Sequence, residues 1–78
     1  MKKVYLLTIV DESDKLHSGQ TVFHSVYQDK ALAQHYMLKD IVYQFEKGKI
    51  KNMDGIDLKK DVYINNNIIW KIEEVNFF

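Results

Sequence analysis

The side chains best suited to chemistry in this sequence are its histidines, and their spacing does not bring them together. His17, His24 and His35 fall in a predicted loop, a predicted strand and a predicted helix, so no two imidazoles turn toward one ion. A zinc site needs three or four converging ligands, and the chain has no cysteine to complete such a set. We therefore expect neither a metal site nor a cofactor.

Catalysis by a nucleophile or by paired acids also finds little support. His17 and His24 each precede a serine, but neighbouring side chains on an extended chain diverge, and adjacency alone does not form a catalytic triad. Asp11, Glu12 and Asp14 are clustered, yet acid-base chemistry requires a pocket that shifts their pKa values. No glycine-rich phosphate-binding loop occurs. The sequence predicts a protein that is not an enzyme.

The length and charge of the chain limit the number of domains and the kinds of partner that it can bind. The 78 residues predict one domain, 1–78, because so short a chain buries only about 60% of its unfolded surface in a single core. The 11 basic residues balance 11 acidic ones, so no long-range field favours nucleic acid or an anionic membrane. All 11 basic residues are lysine, and without arginine there is no planar group for bidentate contact with phosphate or guanine.

We expect the N-terminal residues to form neither a signal peptide nor a membrane span. Lys2 and Lys3 precede an apolar run, but Thr8 interrupts that run and Asp11 and Glu12 end it before it reaches the required length. No segment is long and apolar enough for a transmembrane helix. We expect a cytoplasmic protein without a membrane partner.

Two strands are predicted in the first third of the chain. Residues 4–10 carry apolar side chains on both faces, which indicates a central strand with a neighbour on each side. Residues 21–27 alternate, with Phe23 and Tyr27 on one face. The polar residues 11–20 between them predict a hairpin connection.

A long amphipathic helix is predicted from Lys30 to about Lys47. The Asp29 carboxylate suits the N-cap, and Gly48 suits the left-handed residue that follows a helix. One side of the helix is apolar and should pack on the sheet. That side comprises Ala31, Leu38, Ile41, Val42 and Phe45, with Met37 at its margin.

The last third predicts a loop followed by a hairpin. Residues 49–60 mix charges with Asn and Gly and are expected to be a loop. Its apolar anchors are Ile50, Met53, Ile56 and Leu58. Residues 61–72 hold two strand-like runs around three asparagines, which readily adopt the positive φ of a tight turn. Val75 and Phe77 then change face, which predicts a β-bulge near residues 73–74 or a strand covered on both faces. Together the elements predict a two-layer α+β domain, a four-stranded antiparallel sheet with one long helix on one face, in the order ββαββ.

The outer side of the predicted helix carries a second apolar group, which we name the helix strip. It consists of Leu32, Tyr36, Lys39 and Tyr43. If the helix buries one face only, this strip is exposed, and tyrosine is enriched at interface cores. We therefore predict a non-enzymatic protein that binds another protein through the helix strip, through an open sheet edge, or both. Formation of a homodimer through the same strip is one alternative, and coverage of the strip by residues 49–60 is another.

A lysine-rich segment predicts a different function. Its members are Lys47, Lys49, Lys51, Lys59 and Lys60. Basic groups interleaved with aromatic rings such as Tyr43 hold single-stranded nucleic acids. However, Asp54, Asp57 and Asp61 lie among these lysines, and cations after a helix also complement its dipole. A nucleic-acid-binding regulatory protein is the alternative to a protein-binding domain.

Three segments resemble small ββαββ proteins of low-GC bacteria and their phages. They are residues 3–7 (KVYLL), 26–33 (VYQDKALA) and 70–75 (WKIEEV). The resemblance implies the ββαββ fold and transfers no catalytic residue. In size and composition the chain also resembles phage-encoded inhibitors of host defence, including anti-CRISPR proteins. That resemblance implies an inhibitor or modulator of a host protein that acts by stoichiometric binding.

Overall fold

The described residues form four antiparallel strands and one helix, in the predicted order ββαββ. A computed structural model describes residues 2–12, 21–57 and 59–77. The elements are β1 (Lys2–Asp11), β2 (Thr21–Tyr27), α1 (Lys30–Glu46), β3 (Val62–Asn65) and β4 (Ile68–Phe77). The strands form one sheet in the order β2-β1-β4-β3, and α1 packs on one of its faces. The predicted fold class is confirmed.

The position of β1 follows from its apolar side chains. It pairs with β2 on one side and β4 on the other, as its two apolar faces predicted. Leu7 faces the helix and is 1% exposed. On β4, Ile72 lies opposite Leu7 and Trp70 lies opposite Ile9, so the same face continues across the sheet. The core therefore lies between α1 and the two central strands.

Both ends of α1 use the capping residues that the sequence predicts. Asp29 Oδ1 accepts a hydrogen bond from the backbone N–H of Leu32 at 2.8 Å, which satisfies a donor of the first turn. Gly48 has φ of +79°, and its N–H donates to the carbonyl of Phe45 at 3.1 Å. The N–H of Lys49 donates to the carbonyl of Gln44 at 3.0 Å, so the last turn closes as in a Schellman motif.

The buried side of α1 is rotated from the predicted one. Its buried residues are Ala33, Met37 and Ile41. Ala31 is exposed and Phe45 is 41% exposed, so the prediction was wrong for both. The physical reason is Asp40, which accepts a hydrogen bond from the indole Nε1–H of Trp70 at 2.7 Å. Because the buried indole needs an acceptor, a polar residue of α1 is turned toward the sheet.

Trp70 is the largest fully buried side chain, with 0% exposure. The core around it comprises Leu7, Ala33, Met37, Ile41, Ile50, Tyr63, Ile68 and Ile72. Tyr63 of β3 lies opposite Trp70, with ring centroids 5.6 Å apart. This pair extends the core from α1 toward the β3 edge.

The segment after α1 is held on β3 and on the β3–β4 turn. Ile50 is 1% exposed. The Tyr63 hydroxyl donates to the carbonyl of Asp54 at 2.9 Å, and Asn65 Nδ2 donates to the carbonyl of Asn52 at 2.8 Å. The predicted anchors Met53 and Ile56 are partly buried against the core. The predicted anchor Leu58 lies outside the described residues.

The β3–β4 hairpin has the predicted asparagine turn. Asn66 and Asn67 have φ of +49° and +68°, the two consecutive positive values of a type I′ turn. The pairing of β1 with β4 runs without interruption past residues 73–74, so the predicted bulge is absent from this ladder. Val75 points away from the helix because it lies an odd number of residues after Trp70 in a regular strand, and it is 39% exposed. Its side of the sheet is not packed against the helix.

Candidate protein-binding groove

A groove of about 380 Å³ lies between α1 and the helix-facing side of β1 and β2. It exists because β2 is an edge strand, so its helix-facing side chains are only partly covered. Phe23 is the clearest case, with 56% exposure. The lining residues are Leu7, Ile9, Phe23, Tyr27, Tyr36, Lys39, Asp40 and Tyr43. Four of these eight side chains are aromatic.

Three of the four helix-strip residues line this aromatic groove. Tyr36 is 39% exposed and Tyr43 is 51% exposed, with Lys39 between them on α1. Leu32 is 40% exposed and does not line the groove. The described part of residues 49–60 packs on the β3 side of the sheet and leaves these side chains exposed. The strip and the sheet therefore form one concave surface.

Ring contacts fix Tyr36 in place. Its ring stacks on Tyr27 of β2, with centroids 5.0 Å apart and an angle of 12° between the planes. His35 meets the same ring edge-on at 5.3 Å and 80°. A ring held in this way loses little freedom when a partner covers it, so the groove is preorganised for binding.

The two charged side chains of the groove, Lys39 and Asp40, differ in how readily a partner can contact them. Asp40 is engaged by the indole of Trp70. Lys39 is exposed, and its Nζ lies 5.8 Å from the centroid of Tyr36. The ammonium is thus held over an aromatic face at the rim. An acidic group of a partner would find its positive charge there.

The outer edge of β2 adjoins the groove. β2 pairs with β1 along residues 21–27, and no strand of the described residues pairs with its other side. Such an edge offers backbone donors and acceptors to an extended peptide. Alternate side chains of that peptide would lie over Phe23 and Tyr27, which face the groove.

Two of the five side chains in the lysine-rich segment make intramolecular contacts near the helix end. Lys47 Nζ lies 5.4 Å from the Tyr43 ring centroid, and Lys49 Nζ lies 3.1 Å from Asp11 Oδ2. The backbone N–H groups of Lys59 and Lys60 donate to Asp57. The side chains of Lys51, Lys59 and Lys60 are exposed. The Asp11 carboxylate therefore neutralises one charge of the predicted basic surface, that of Lys49.

The residues considered for metal binding are not brought together in the described part of the chain. His24 Nδ1 lies 3.1 Å from the Thr8 hydroxyl, and His35 contacts Tyr36. No group of three His, Asp or Glu side chains that could hold a metal ion occurs among residues 2–12, 21–57 and 59–77. His17 and Asp14 lie outside these ranges.

Sequence reasoning missed the sheet side of the groove. The sequence predicted that Phe23 and Tyr27 share one face of their strand, but not that this face lies open beside the helix strip. The sequence alone gave no signal for this, because Phe23 is left uncovered only if β2 is an edge strand, and that depends on the strand order.

Comparison with known proteins does not assign the chain to a family. No protein-family model matches the chain, no curated protein is detectably similar in sequence, and no solved structure is detectably similar in fold. No helix of the described residues has both the length and the apolar character to cross a membrane. The groove and the surfaces around it are the basis for inferring function.

Proposed function

We propose that this protein binds another protein in the aromatic groove, by stoichiometric contact and without catalysis. The observation that supports this most is the set of four rings around one concave surface, Phe23, Tyr27, Tyr36 and Tyr43. Aromatic side chains give large contact areas and are frequent among the residues that dominate binding energy. Exposed apolar surface of this extent commonly marks a contact site.

The partner we propose is an extended segment with an apolar side chain next to an acidic one. The segment adds to the β2 edge through backbone hydrogen bonds. Its apolar side chain enters the groove between Phe23 and Tyr43, and its acidic group approaches Lys39. Burial of one large apolar side chain contributes roughly 1.5 to 3 kcal/mol, enough to select such a sequence over a polar one.

We further propose that the bound protein is a host defence protein and that binding inhibits or modulates it in the cytoplasm. This proposal is supported by the resemblance of the chain, in size and composition, to phage-encoded inhibitors of host defence. A single small domain with an exposed aromatic groove suits inhibition by occupation of a partner's surface.

Paired baits test the proposal. The wild-type protein, Tyr36→Ala and Phe45→Ala are used to capture proteins from a low-GC host lysate, followed by quantitative mass spectrometry. Phe45 is the matched control because it is an aromatic residue of the same helix, is similarly exposed at 41%, and does not line the groove. We expect a protein retained in stoichiometric amount by wild type and Phe45→Ala and lost with Tyr36→Ala. Equal retention by all three baits would refute the groove as the binding site.

Nucleic-acid binding is the second candidate, and one contact favours it. The ammonium of Lys47 over the Tyr43 ring is an arrangement that can also receive a stacked base and its phosphate. Binding of single-stranded DNA or RNA by such a surface should weaken steeply between about 50 and 200 mM salt. A shift assay that shows no binding at low salt, or binding that salt does not change, removes this candidate.

A further inference from the structure

The face of the sheet opposite α1 is also apolar and exposed. Five of the large exposed hydrophobic residues belong to it: Val22 (47%), Val26 (61%), Val62 (45%), Ile64 (65%) and Val75 (39%). The strand register places all of them on the side away from the helix-facing residues Leu7 and Trp70. We name this surface the outer sheet face. A sheet with one face in water normally carries mainly polar residues on that side, whereas much of this face is apolar.

Apolar side chains on the outer sheet face form continuous rows across the strands. One row runs over all four strands through Val22, Val10, Ile69 and Ile64. Toward the other end lies an apolar cleft of about 330 Å³ lined by Val4, Leu6, Val26 and Val75. Between these two apolar regions lies a more polar row of His24, Thr8 and Lys71. The apolar surface therefore occupies both ends of the face.

We propose that a second copy of this chain packs on the outer sheet face, sheet against sheet, to form a two-fold symmetric dimer. Four strands about 4.8 Å apart, with ten residues in each central strand and seven and four in the edge strands, present a face of roughly 500 Å². Two such faces bury about 1,000 Å² together, which meets the lower limit expected of a biological interface. Homodimer interfaces are also more apolar than other protein contacts, as this face is.

Charge on this face is self-complementary. Lys71 Nζ lies 2.8 Å from Glu73 Oε1, and the two side chains are neighbours on the same side of β4. Consider a two-fold axis that lies in the interface, perpendicular to β4 and midway between these two residues. Rotation about this axis brings each Lys71 to the Glu73 of the second copy. The same rotation lays the four-strand apolar row of one copy over the Val4 and Val75 end of the other. The chain's net charge of zero adds no repulsion between copies.

This dimer leaves the aromatic groove free. The groove lies on the helix side of the sheet, so two copies joined by their outer sheet faces carry their grooves on opposite sides of the assembly. The dimer is then bivalent for a partner that presents two binding segments, which raises its apparent affinity without new contacts. Dimer formation does not depend on the proposed function of the groove.

Sedimentation equilibrium of the full chain tests the proposal. The wild type should sediment at twice the 9.3 kDa of one chain at micromolar concentrations. Val26→Glu and Ile64→Lys each put a charge on one side of the face, and each should raise the dimer dissociation constant about a hundredfold. The matched control is Phe23→Glu, which changes a similarly exposed residue of β2 on the opposite face and should leave the dimer unchanged.

Charge reversal at the proposed axis gives an independent readout. Lys71→Glu should weaken the dimer about tenfold or more, and addition of Glu73→Lys should restore it. A wild type that sediments as a monomer at all concentrations overturns the proposal, as does a dimer that persists in folded Val26→Glu and Ile64→Lys. If those variants do not fold, the wild-type melting temperature must rise with protein concentration. A melting temperature that does not depend on concentration overturns the proposal as well.

Discussion

Replacement of Asp40 by Ala should destabilise the protein through Trp70. The Trp70 side chain is 0% exposed, and its Nε1–H donates to Asp40 Oδ2 at 2.7 Å. This hydrogen bond joins α1 to the centre of the sheet across 30 residues of sequence. Asp40→Ala removes the acceptor and leaves a buried indole N–H without its partner.

The size of the effect follows from the cost of that unpaired donor, about 1 to 3 kcal/mol. A 78-residue domain has a free energy of unfolding of roughly 4 to 12 kcal/mol, so the loss is a substantial fraction of the total. Each kcal/mol corresponds to about 4 to 8 °C in melting temperature for a domain of this size. Asp40→Ala should therefore melt about 8 to 16 °C lower if the loss is about 2 kcal/mol.

Chemical unfolding followed by tryptophan fluorescence measures this loss directly, because Trp70 is the single tryptophan of the chain. Asp40→Asn retains a carbonyl acceptor and should lose less than half as much stability. Glu46→Ala is the matched control, since it removes an exposed carboxylate from the same helix and should change stability by less than about 0.5 kcal/mol. If Asp40→Ala unfolds with the same midpoint as Glu46→Ala, the hydrogen bond to Trp70 does not stabilise the fold as argued.

The β3–β4 turn and the N-cap of α1 give further predictions. Asn67→Val should lower the free energy of unfolding by about 1 to 2 kcal/mol in urea denaturation, because a β-branched residue tolerates φ of +68° poorly, whereas Asn67→Gly should be neutral or stabilising. Equal stability of the two variants would contradict a type I′ turn. Asp29→Ala should cost about 1 kcal/mol by the same assay through loss of the N-cap, and Asp29→Ser should recover most of it. Similar losses in Asp29→Ala and Asp29→Ser would contradict that role.

Local sequence patterns predicted most of the fold because its elements are specified by neighbouring residues. Asp29 and Gly48 bound the helix through contacts within one turn. Asn66 and Asn67 form their turn by backbone conformation alone. The apolar residues on both faces of β1 were sufficient to place it inside the sheet.

The orientation of α1 could not be predicted in the same way, because it depends on a contact distant in sequence. Helical periodicity places Phe45 on the apolar side, but the need of Trp70 for an acceptor turns Asp40 inward instead. The pattern of apolar residues contains no information about that pairing. The same limit applies to Val75, whose change of face reflects an apolar outer sheet face rather than a bulge.

The candidate site was predicted only in its helical half. Tyr36, Lys39 and Tyr43 share one side of a helix, and their sequence spacing shows this directly. That Phe23 and Tyr27 complete the surface follows from the edge position of β2, which depends on strand order. Strand order is set by pairing between distant segments, so the groove became visible only in three dimensions.

The most direct test of the aromatic groove is the affinity of the captured partner for wild type, Tyr36→Ala and Phe45→Ala, measured by titration calorimetry. Truncation of a ring in the centre of an interface should weaken binding about tenfold or more, while the same truncation at Phe45 should change it less than about twofold. Circular dichroism of each variant shows that the fold is intact. Undiminished affinity of a folded Tyr36→Ala, or an equal loss in Phe45→Ala, would contradict binding at the groove.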